Sequence, residues 1–327
     1  MVTRRRVVFA IGAGALAPLA SFAQQQTSKV FRIGFLGATA ASDSGWRVDA
    51  LRAGLRDLGY VEGKNVVVEY RWSEGNNDRL PEIAAELVRL KVDVIITHGT
   101  PGTRAAKQAT TTIPIVMALS GDAVANGLIT SLARPGGNIT GTTFLDPELS
   151  AKRLELLKDL NPRINRVAVL VNSRNPGIVP TLRVMEVTAA HLKMKLEKFE
   201  VQSPDEIAGA ISAMAKRRVD AVWIHQDTLL QAHVNEISSL AAKQRLPSIG
   251  WKEFAEAGGL IGYGANNPEL WRRAAYFVDK ILKGAKPGDI PVEQPTRFEL
   301  IINLKTAKAL KIKLPEMLVQ RADRVIE

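Results

Sequence analysis

Short apolar runs rich in β-branched residues alternate with longer amphipathic stretches from Val30 onward. The first run, 31–36, predicts a strand, and the apolar residues after it recur at helical spacing until Gly59. Three further runs predict strands at 66–70, 92–97 and 113–117. Because helices separate these strands, the pattern predicts right-handed crossovers and a parallel sheet with helices on both faces.

The alternation starts again after residue 145. Asp146 before Pro147 predicts the start of a helix, and 166–171 predicts the next strand. The segment 203–206 (Ser-Pro-Asp-Glu) has the pattern of a capping box, which predicts a helix from there to about Lys216. Additional strands are predicted at 221–224, 247–249 and 260–263. Two successive units of this kind predict an α/β fold of two doubly wound parallel-sheet lobes.

A further helix at 267–282 and a strand at 298–302 follow the second unit. A C-terminal segment of this length has to pack on the lobes. The simplest arrangement is one in which the chain crosses back from one lobe to the other. The predicted lobe 1 is 30–145 with about 265–293, and lobe 2 is 146–264 with about 294–327. Hinge crossovers are predicted near Leu145, at 264–266 and at 294–296.

The N-terminus has the pattern of an export signal. Arginines at 4–6 precede an apolar run, 7–20, and small residues at Ser21 and Ala23 provide a cleavage site before Gln24. The run is shorter than the roughly 20 apolar residues of a membrane span. The sequence therefore predicts a signal peptide at 1–23 that is removed, by either the twin-arginine or the Sec route.

Composition narrows the functional classes. The chain has no cysteine, which excludes a thiol nucleophile, a thiolate metal site, a disulfide framework and a lipid-modified N-terminal cysteine. A signal without a lipid anchor predicts a periplasmic protein. The formal charge is +11, but basic residues lie singly along amphipathic helices among acidic ones. This pattern predicts a solvated basic surface and no nucleic-acid partner; no cofactor and no metal are predicted.

Ligand contacts are expected at the carboxyl ends of the strands, where open parallel sheets bind ligands. Asp122 and Asp227 are candidate partners for a ligand ammonium, although both precede helices and capping is the alternative role. The amides of Gly99 and Thr100 could hold a carboxylate at a helix N-terminus. The full set of candidate ligand-binding residues is Ala38, Thr39, Gly99, Thr100, Asp122, Asn172, Asn175, Gln226, Asp227 and Tyr263.

Four aromatic residues are candidates for stacking on a ligand ring: Trp46, Trp223, Trp251 and Tyr263. Trp223 lies inside an apolar strand, which favours a place in the core. Tyr263 ends its strand, which favours the cleft.

An enzyme is an alternative, because His98 and His225 also fall at strand ends and could form a metal or acid–base cluster with the two aspartates. The chain has four histidines and no H-E-x-x-H or G-x-S-x-G motif. Hydrogen-bonding wall residues are the favoured interpretation of both histidines, and no catalytic residue is predicted.

Six longer stretches carry a family resemblance: 59–65 (GYVEGKN), 98–101 (HGTP), 133–141 (ARPGGNITG), 152–157 (KRLELL), 293–296 (EQPT) and 303–307 (NLKTA). With them the chain resembles the ABC transporter substrate-binding proteins that bind tryptophan or related amino acids. The resemblance implies a type I periplasmic-binding fold and lobes that close on a small polar organic ligand, an amino acid or a relative. It also implies an ABC permease in the inner membrane as partner and a monomeric protein. A ligand-sensing domain of a membrane receptor is the alternative function.

Overall fold

The computed structural model describes residues 29–144 and 146–327. The predicted signal peptide and the crossover predicted near Leu145 lie outside the described residues. In the part of the chain that the structure describes, no helix is both long and apolar enough to cross a membrane.

Five parallel strands form the sheet of the first lobe. They are β1 (Phe31–Gly37), β2 (Val66–Trp72), β3 (Val94–His98), β4 (Ile115–Ser120) and β5 (Ile139–Thr143). Their order across the sheet is β2-β1-β3-β4-β5. The connecting helices are α1 (Gly45–Asp57), α2 (Leu80–Arg89) and α3 (Gly99–Ala109). Four of the strands match the sequence-based prediction, whereas no strand was predicted at β5.

Seven strands form the sheet of the second lobe. They are β6 (Arg166–Asn172), β7 (Lys195–Val201), β8 (Ala221–Ile224), β9 (Ser248–Gly250), β10 (Ile261–Ala265), β11 (Phe298–Asn303) and β12 (Arg324–Ile326). Their order is β12-β11-β10-β9-β8-β6-β7. All neighbouring pairs are parallel except β10 and β11, which are antiparallel. The prediction of two α/β lobes is confirmed, with β7, β12 and the reversed direction of β11 added by the structure.

The remaining helices are α4 (Asp146–Leu160), α5 (Ile178–His191), α6 (Ile207–Lys216), α7 (Thr228–Ala232), α8 (Val234–Lys243), α9 (Lys252–Glu256), α10 (Asn267–Leu282), α11 (Leu304–Leu310) and α12 (Glu316–Gln320). The helix predicted from Pro204 differs from the structure in its first turn. A 3-10 turn, Pro204–Glu206, precedes α6, and the Ser203 side chain makes no capping hydrogen bond. The Glu206 carboxylate instead accepts a hydrogen bond from the Gln202 amide, 2.8 Å away. Of the two bonds of the predicted capping box, the structure therefore shows only the one to Glu206, and it comes from Gln202 instead of Ser203.

Helix α10 leaves the second sheet and packs on the first lobe. The Trp271 ring stacks on the Phe35 ring of β1, with centroids 5.4 Å apart. Phe277 is fully buried in the same apolar cluster as strands β1 and β3. Strand β11 then returns to the second lobe and pairs with β10. The chain thus passes from the second lobe to the first and back after β10.

The segment before β11 is anchored beside the end of β5. The Glu293 amide donates to the Gly141 carbonyl, and the Thr143 amide donates to the Glu293 carbonyl, each at 2.9 Å. Arg273 of α10 binds the Glu293 carboxylate through two hydrogen bonds, of 2.9 and 2.6 Å. The last passage between the lobes therefore begins from a fixed point on the first lobe.

Candidate functional site

A cavity of about 50 Å³ lies between the lobes, at the carboxyl ends of strands from both sheets. The first lobe and α10 contribute polar and aromatic walls, among them Trp46, Arg47, His98, Gly99, Thr100 and Trp271. The second lobe contributes mainly polar groups, among them Asn175, Gly177, Gln226, Asp227, Thr228 and Gln231. The position agrees with the general rule that ligands bind at strand ends in open α/β sheets.

The two lobes touch each other around this cavity. Arg47 Nη2 of α1 donates to Gln231 Oε1 of α7 at 3.2 Å. Farther from the crossovers, Arg174 Nη1 of the second lobe lies 2.7 Å from Asp78 Oδ2 of the first. Hydrogen bonds across the cleft require the lobes to be close together, so the structure shows a closed arrangement.

Asp227 is 2% exposed and its carboxylate is held by three donors. Asn172 Nδ2 donates to Oδ1 at 3.0 Å, and Asn175 Nδ2 donates to Oδ2 at 2.7 Å. The Leu229 amide donates to Oδ1 at 2.8 Å, which makes Asp227 the N-cap of α7. The capping role is therefore real, and the two asparagines additionally fix the carboxylate at the cavity wall.

A larger cavity, of about 460 Å³, lies on the outer side of the same residues. Asn172 and Leu229 line it from the second lobe, and the 74–77 turn after β2 lines it from the first. Strands β2 and β7 are the sheet edges farthest from the crossovers. This larger cavity is consequently the mouth of the cleft.

Arg47 is the cationic group of the site and was not among the predicted residues. Its side chain is buried, 5% exposed, and its guanidinium lies over the Trp46 ring, 4.4 Å from the centroid. It belongs to the first turn of α1, the helix that follows β1. The rule that helix N-termini face the ligand cleft would have selected it, because α1 begins at the same edge of the sheet as α3.

His98 is a neutral wall residue. Its Nε2 accepts a hydrogen bond from the Ala38 amide at 3.2 Å, so the proton of the neutral ring is on Nδ1. Burial, together with the positive charge of Arg47, holds the pKa of His98 well below its ordinary value of 6.5. The Trp271 ring packs edge-on against it, with centroids 5.3 Å apart.

His225 also lines the cavity and stacks on Trp223, with ring centroids 5.9 Å apart. In residues 29–144 and 146–327, no three His, Asp or Glu side chains are grouped so as to hold a metal ion. The positions of the two histidines thus agree with hydrogen-bonding and packing roles.

Five of the ten candidate residues line the inner cavity: Gly99, Thr100, Asn175, Gln226 and Asp227. Two others act through residues that line it, since Ala38 donates to His98 and Asn172 donates to Asp227. Thr39 is buried, and its Oγ1 lies 2.6 Å from Ser44 Oγ.

Asp122 and Tyr263 are not brought to the cavity. The Asp122 carboxylate accepts hydrogen bonds from the amides of Val124 and Ala125, at 3.1 and 2.9 Å, and so closes a local turn. The Tyr263 ring packs against Phe298 of β11, with centroids 6.1 Å apart. Asp122 is therefore a turn residue, and Tyr263 packs beside the antiparallel strand pair.

Among the other aromatic candidates, only Trp46 lines the inner cavity. Trp223 is fully buried in the core of the second lobe, as its apolar strand indicated. Trp251 is also buried and packs on Phe254, with centroids 5.9 Å apart. Two further aromatic walls, Phe144 and Trp271 of α10, were not identified from the sequence.

Two further residues of the second lobe bear on the site. Arg153 of α4 is fully buried, and it donates to the Tyr263 carbonyl at 2.9 Å and to Gln226 Oε1 at 3.2 Å. It therefore fixes the orientation of the Gln226 amide. Thr228 Oγ1 is buried at the cavity and has no hydrogen-bond partner in the described part of the chain. A polar ligand can supply that partner.

Known proteins resemble the chain over most of its length. A family model of ABC transporter substrate-binding proteins matches residues 44–326. A tyrosine-binding protein of Clostridioides difficile is 31% identical over 266 residues, which cover 79% of this chain and 74% of the relative. A crystal structure of a conserved domain protein from Vibrio cholerae superposes with a TM-score of 0.86 at 26% identity, covering 91% of this chain and all of the other. A Streptococcus pneumoniae ABC domain in complex with L-Trp superposes with a TM-score of 0.83 at 26% identity, covering 90% and 99% of the two chains. The chain belongs to the family of ABC transporter substrate-binding proteins.

Proposed function

We propose that the protein is the substrate-binding component of an ABC importer and that its ligand is a zwitterionic α-amino acid. The observation that carries this proposal is the pair of buried charges in one cavity, Asp227 from the second lobe and Arg47 from the first. A buried site with one anionic and one cationic wall complements a ligand that carries both charges. A neutral sugar has no charged group to complement either wall.

Each lobe binds one of the two charged groups of the ligand, which we call its ammonium and carboxylate poles. Asp227 receives the ammonium, while Arg47 receives the carboxylate together with the first amides of α3, at Gly99 and Thr100. Those amides have no acceptor inside their own helix and carry the positive end of its dipole. Trp46 and Trp271 provide walls for the side chain. Since relatives include a tyrosine-binding protein and a complex with L-Trp, L-tyrosine and L-tryptophan are the first ligands to test.

Calorimetry with matched analogues tests the assignment of the two poles. Tryptamine lacks the carboxylate of L-tryptophan, and indole-3-propionate lacks its ammonium. Each analogue should bind more weakly than the amino acid by about 2–5 kcal/mol, because one buried charge of the site loses its partner. If one analogue binds as tightly as L-tryptophan, the contact proposed for the charged group that this analogue lacks is wrong.

Opening and closing complete the mechanism. The inner cavity is smaller than the roughly 150 Å³ that accommodates benzene, so an amino acid enters only when the lobes separate. Residues 30–145 with about 265–293 move as one lobe, and 146–264 with about 294–327 as the other. The three crossovers between them serve as hinges, and contacts from both lobes make the ligand stabilise the closed form.

Gly177→Ala should weaken binding by interfering with closure. A Cβ at this position would lie 2.8 Å from Thr100 Oγ1 of the opposite lobe, whereas the backbone of Gly177 (φ −66°) accepts alanine without strain. We expect about tenfold weaker binding of L-tryptophan in calorimetry, a loss of about 1.4 kcal/mol. Small-angle scattering should show compaction on ligand addition in the wild type and less in the variant.

Gly209→Ala is the matched control, because a Cβ there meets no atom within 4 Å and lies on the surface of α6. It should leave affinity unchanged and stabilise α6 by up to about 1 kcal/mol. Unchanged affinity in Gly177→Ala would show that this inter-lobe contact is absent from the bound state.

The protein acts in the periplasm, after removal of residues 1–23. Intact-mass analysis of the exported protein should give a chain that begins at Gln24, and a full-length chain held in membranes would contradict this location. A monomer that delivers ligand to a membrane permease should co-purify with that permease. A ligand-sensing domain would bind the same ligand and co-purify with a receptor instead.

A further inference from the structure

A second cavity, of about 200 Å³, adjoins the ligand cavity and shares Trp46, Arg47, Gln231 and Asn267 with it. Residues of both lobes line it. Arg47 and Glu253 are the two charged residues among those that form its walls. A charged group on the far side of Arg47 is placed to influence the carboxylate pole of the ligand site.

The Glu253 carboxylate lies at the contact between the lobes. Its Oε2 accepts a hydrogen bond from Asn267 Nδ2 at 3.0 Å. Glu253 belongs to α9 of the second lobe, whereas Asn267 is the first residue of α10, which packs on the first lobe. The other oxygen, Oε1, is buried and has no hydrogen-bond partner among residues 29–144 and 146–327. Closure thus desolvates this carboxylate and satisfies only one of its two oxygens, which favours its protonated form.

We infer that Glu253 is a positioning residue of the ligand site, which acts through Arg47 and Asn267, and that closure on the ligand takes up a proton at its carboxyl group. The inference rests on the proposed amino-acid site. An ionised Glu253 competes with the ligand carboxylate for the charge of Arg47. A protonated Glu253 does not compete, so Arg47 interacts with the ligand carboxylate alone. One oxygen of the protonated group still accepts the hydrogen bond from Asn267.

Several other charged or titratable groups surround Glu253. Its own helix presents Lys252 and Glu256, and Lys252 lies 3.6 Å from Glu299 of β11 while Glu256 pairs with Arg324 of β12. Helix α8 lines the cavity with two uncharged residues, Val234 and Asn235. His233, between α7 and α8, lies 3.5 Å from Glu236. The groups to be separated from Glu253 in a pH experiment are Arg47, Lys252, Glu256, Glu299, Arg324, His233, Tyr263 of β10, and His98 beside Arg47.

The direction of the pH dependence follows from burial. Burial raises the pKa of Glu253 from about 4.5 to about 7, against the lowering effect of Lys252 and Arg47. Opening returns the carboxyl to water and its pKa towards the ordinary value. The closed form therefore binds the proton more tightly than the open form, so closure is fully favoured below pH 4.5 and weakens as pH rises to 7. Above that pH the effect is constant.

Calorimetry with L-tryptophan in phosphate and in Bis-Tris buffer at pH 6.5 tests the inference. If the wild type takes up a proton on binding, the apparent binding enthalpies in the two buffers should differ. The difference equals the number of protons taken up multiplied by the difference between the two buffer ionisation enthalpies. Affinity should fall about tenfold between pH 5.5 and 7.5, the window of a raised carboxyl pKa. Glu253→Gln should bind L-tryptophan without proton uptake and without this pH dependence.

Glu256→Gln is the matched control, because Glu256 lies on the same helix but does not line the cavity. The charge of Glu256 adds to the raised pKa of Glu253, so this variant should retain proton uptake with a slightly lower midpoint. Binding of L-tryptophan with no uptake, or uptake that persists in Glu253→Gln, would overturn the inference and leave the proposed ligand class intact. If no amino acid binds, the proposed function fails first. NMR titration of the Glu253 carboxyl carbon in protein purified with its native bound molecule then decides the inference, since a midpoint near 4.5 in that closed complex contradicts it and one near 7 supports it.

Discussion

Asp227→Asn is expected to lose most of the affinity for L-tryptophan, about 2–5 kcal/mol, because the ligand ammonium loses a buried anionic partner. The carboxylate is 2% exposed at the cavity, so water cannot replace the lost charge. Calorimetry measures the change. Tryptamine, which keeps the ammonium, should lose a similar amount.

The same substitution should also reduce stability. Asn175 Nδ2 donates to Asp227 Oδ2 at 2.7 Å, and an asparagine at 227 cannot accept both that bond and the two bonds to Oδ1. Asn175 cannot simply reverse its amide, since its Oδ1 already accepts from the Gly177 amide at 2.9 Å. The expected cost is about 1–3 kcal/mol of unfolding free energy. If Asp227 only capped α7, asparagine would be an equally good cap and stability would barely change.

Asp122→Asn provides the comparison for this variant. Asp122 also follows a strand and accepts from two amides, but it lies outside the cavity. The Asp122→Asn variant should bind L-tryptophan with the affinity of the wild type. Near wild-type affinity in Asp227→Asn would return Asp227 to a purely structural role at the start of α7.

Arg47→Gln should produce a loss of comparable size at the other pole, about 2–5 kcal/mol for L-tryptophan, because the ligand carboxylate loses its cation. Tryptamine has no carboxylate, so its affinity should be little affected by this variant. The two ligands therefore separate a lost charge contact from a general distortion of the cavity.

Arg52→Gln on the same helix is the control for Arg47. Arg52 pairs with Glu62 at 2.8 Å on the surface, and no binding change is expected. Equal losses for L-tryptophan and tryptamine in Arg47→Gln would contradict the carboxylate contact. They would assign Arg47 to closure through its bond with Gln231 instead.

Strands buried on both faces were the easiest elements to predict. The residues of β3, β4 and β8 are all buried, and their near-continuous apolar runs are the typical sequence of a parallel strand. Strand β7 alternates charged and apolar residues, because it is the edge of its sheet and one face meets water. Strand β5 has one isoleucine followed only by threonines and a glycine, so it lacks the run of apolar residues that predicts a buried strand. Its pairing partner β4 is set by tertiary structure, which a local pattern does not contain.

The site was predictable where the backbone alone determines it. The strand-end rule identified Asp227 and the start of α3, because those positions follow directly from the order of elements. Arg47 and Trp271 depend on side-chain direction and on the return of α10 to the first lobe. Tyr263 was expected to end its strand, but it lies in the middle of β10, which continues to Ala265, and its ring packs against Phe298 of β11. Long-range packing therefore decided which strand-end residues reach the ligand.

Mass spectrometry of the small molecules released by denaturing freshly exported protein tests the central claim most directly. The account predicts an α-amino acid, with free ammonium and carboxylate groups, in near-equal molar amount to the protein. Release of a sugar, a nucleoside or a carboxylic acid without an amine would contradict the assignment of Asp227 and Arg47 to the two poles of the ligand.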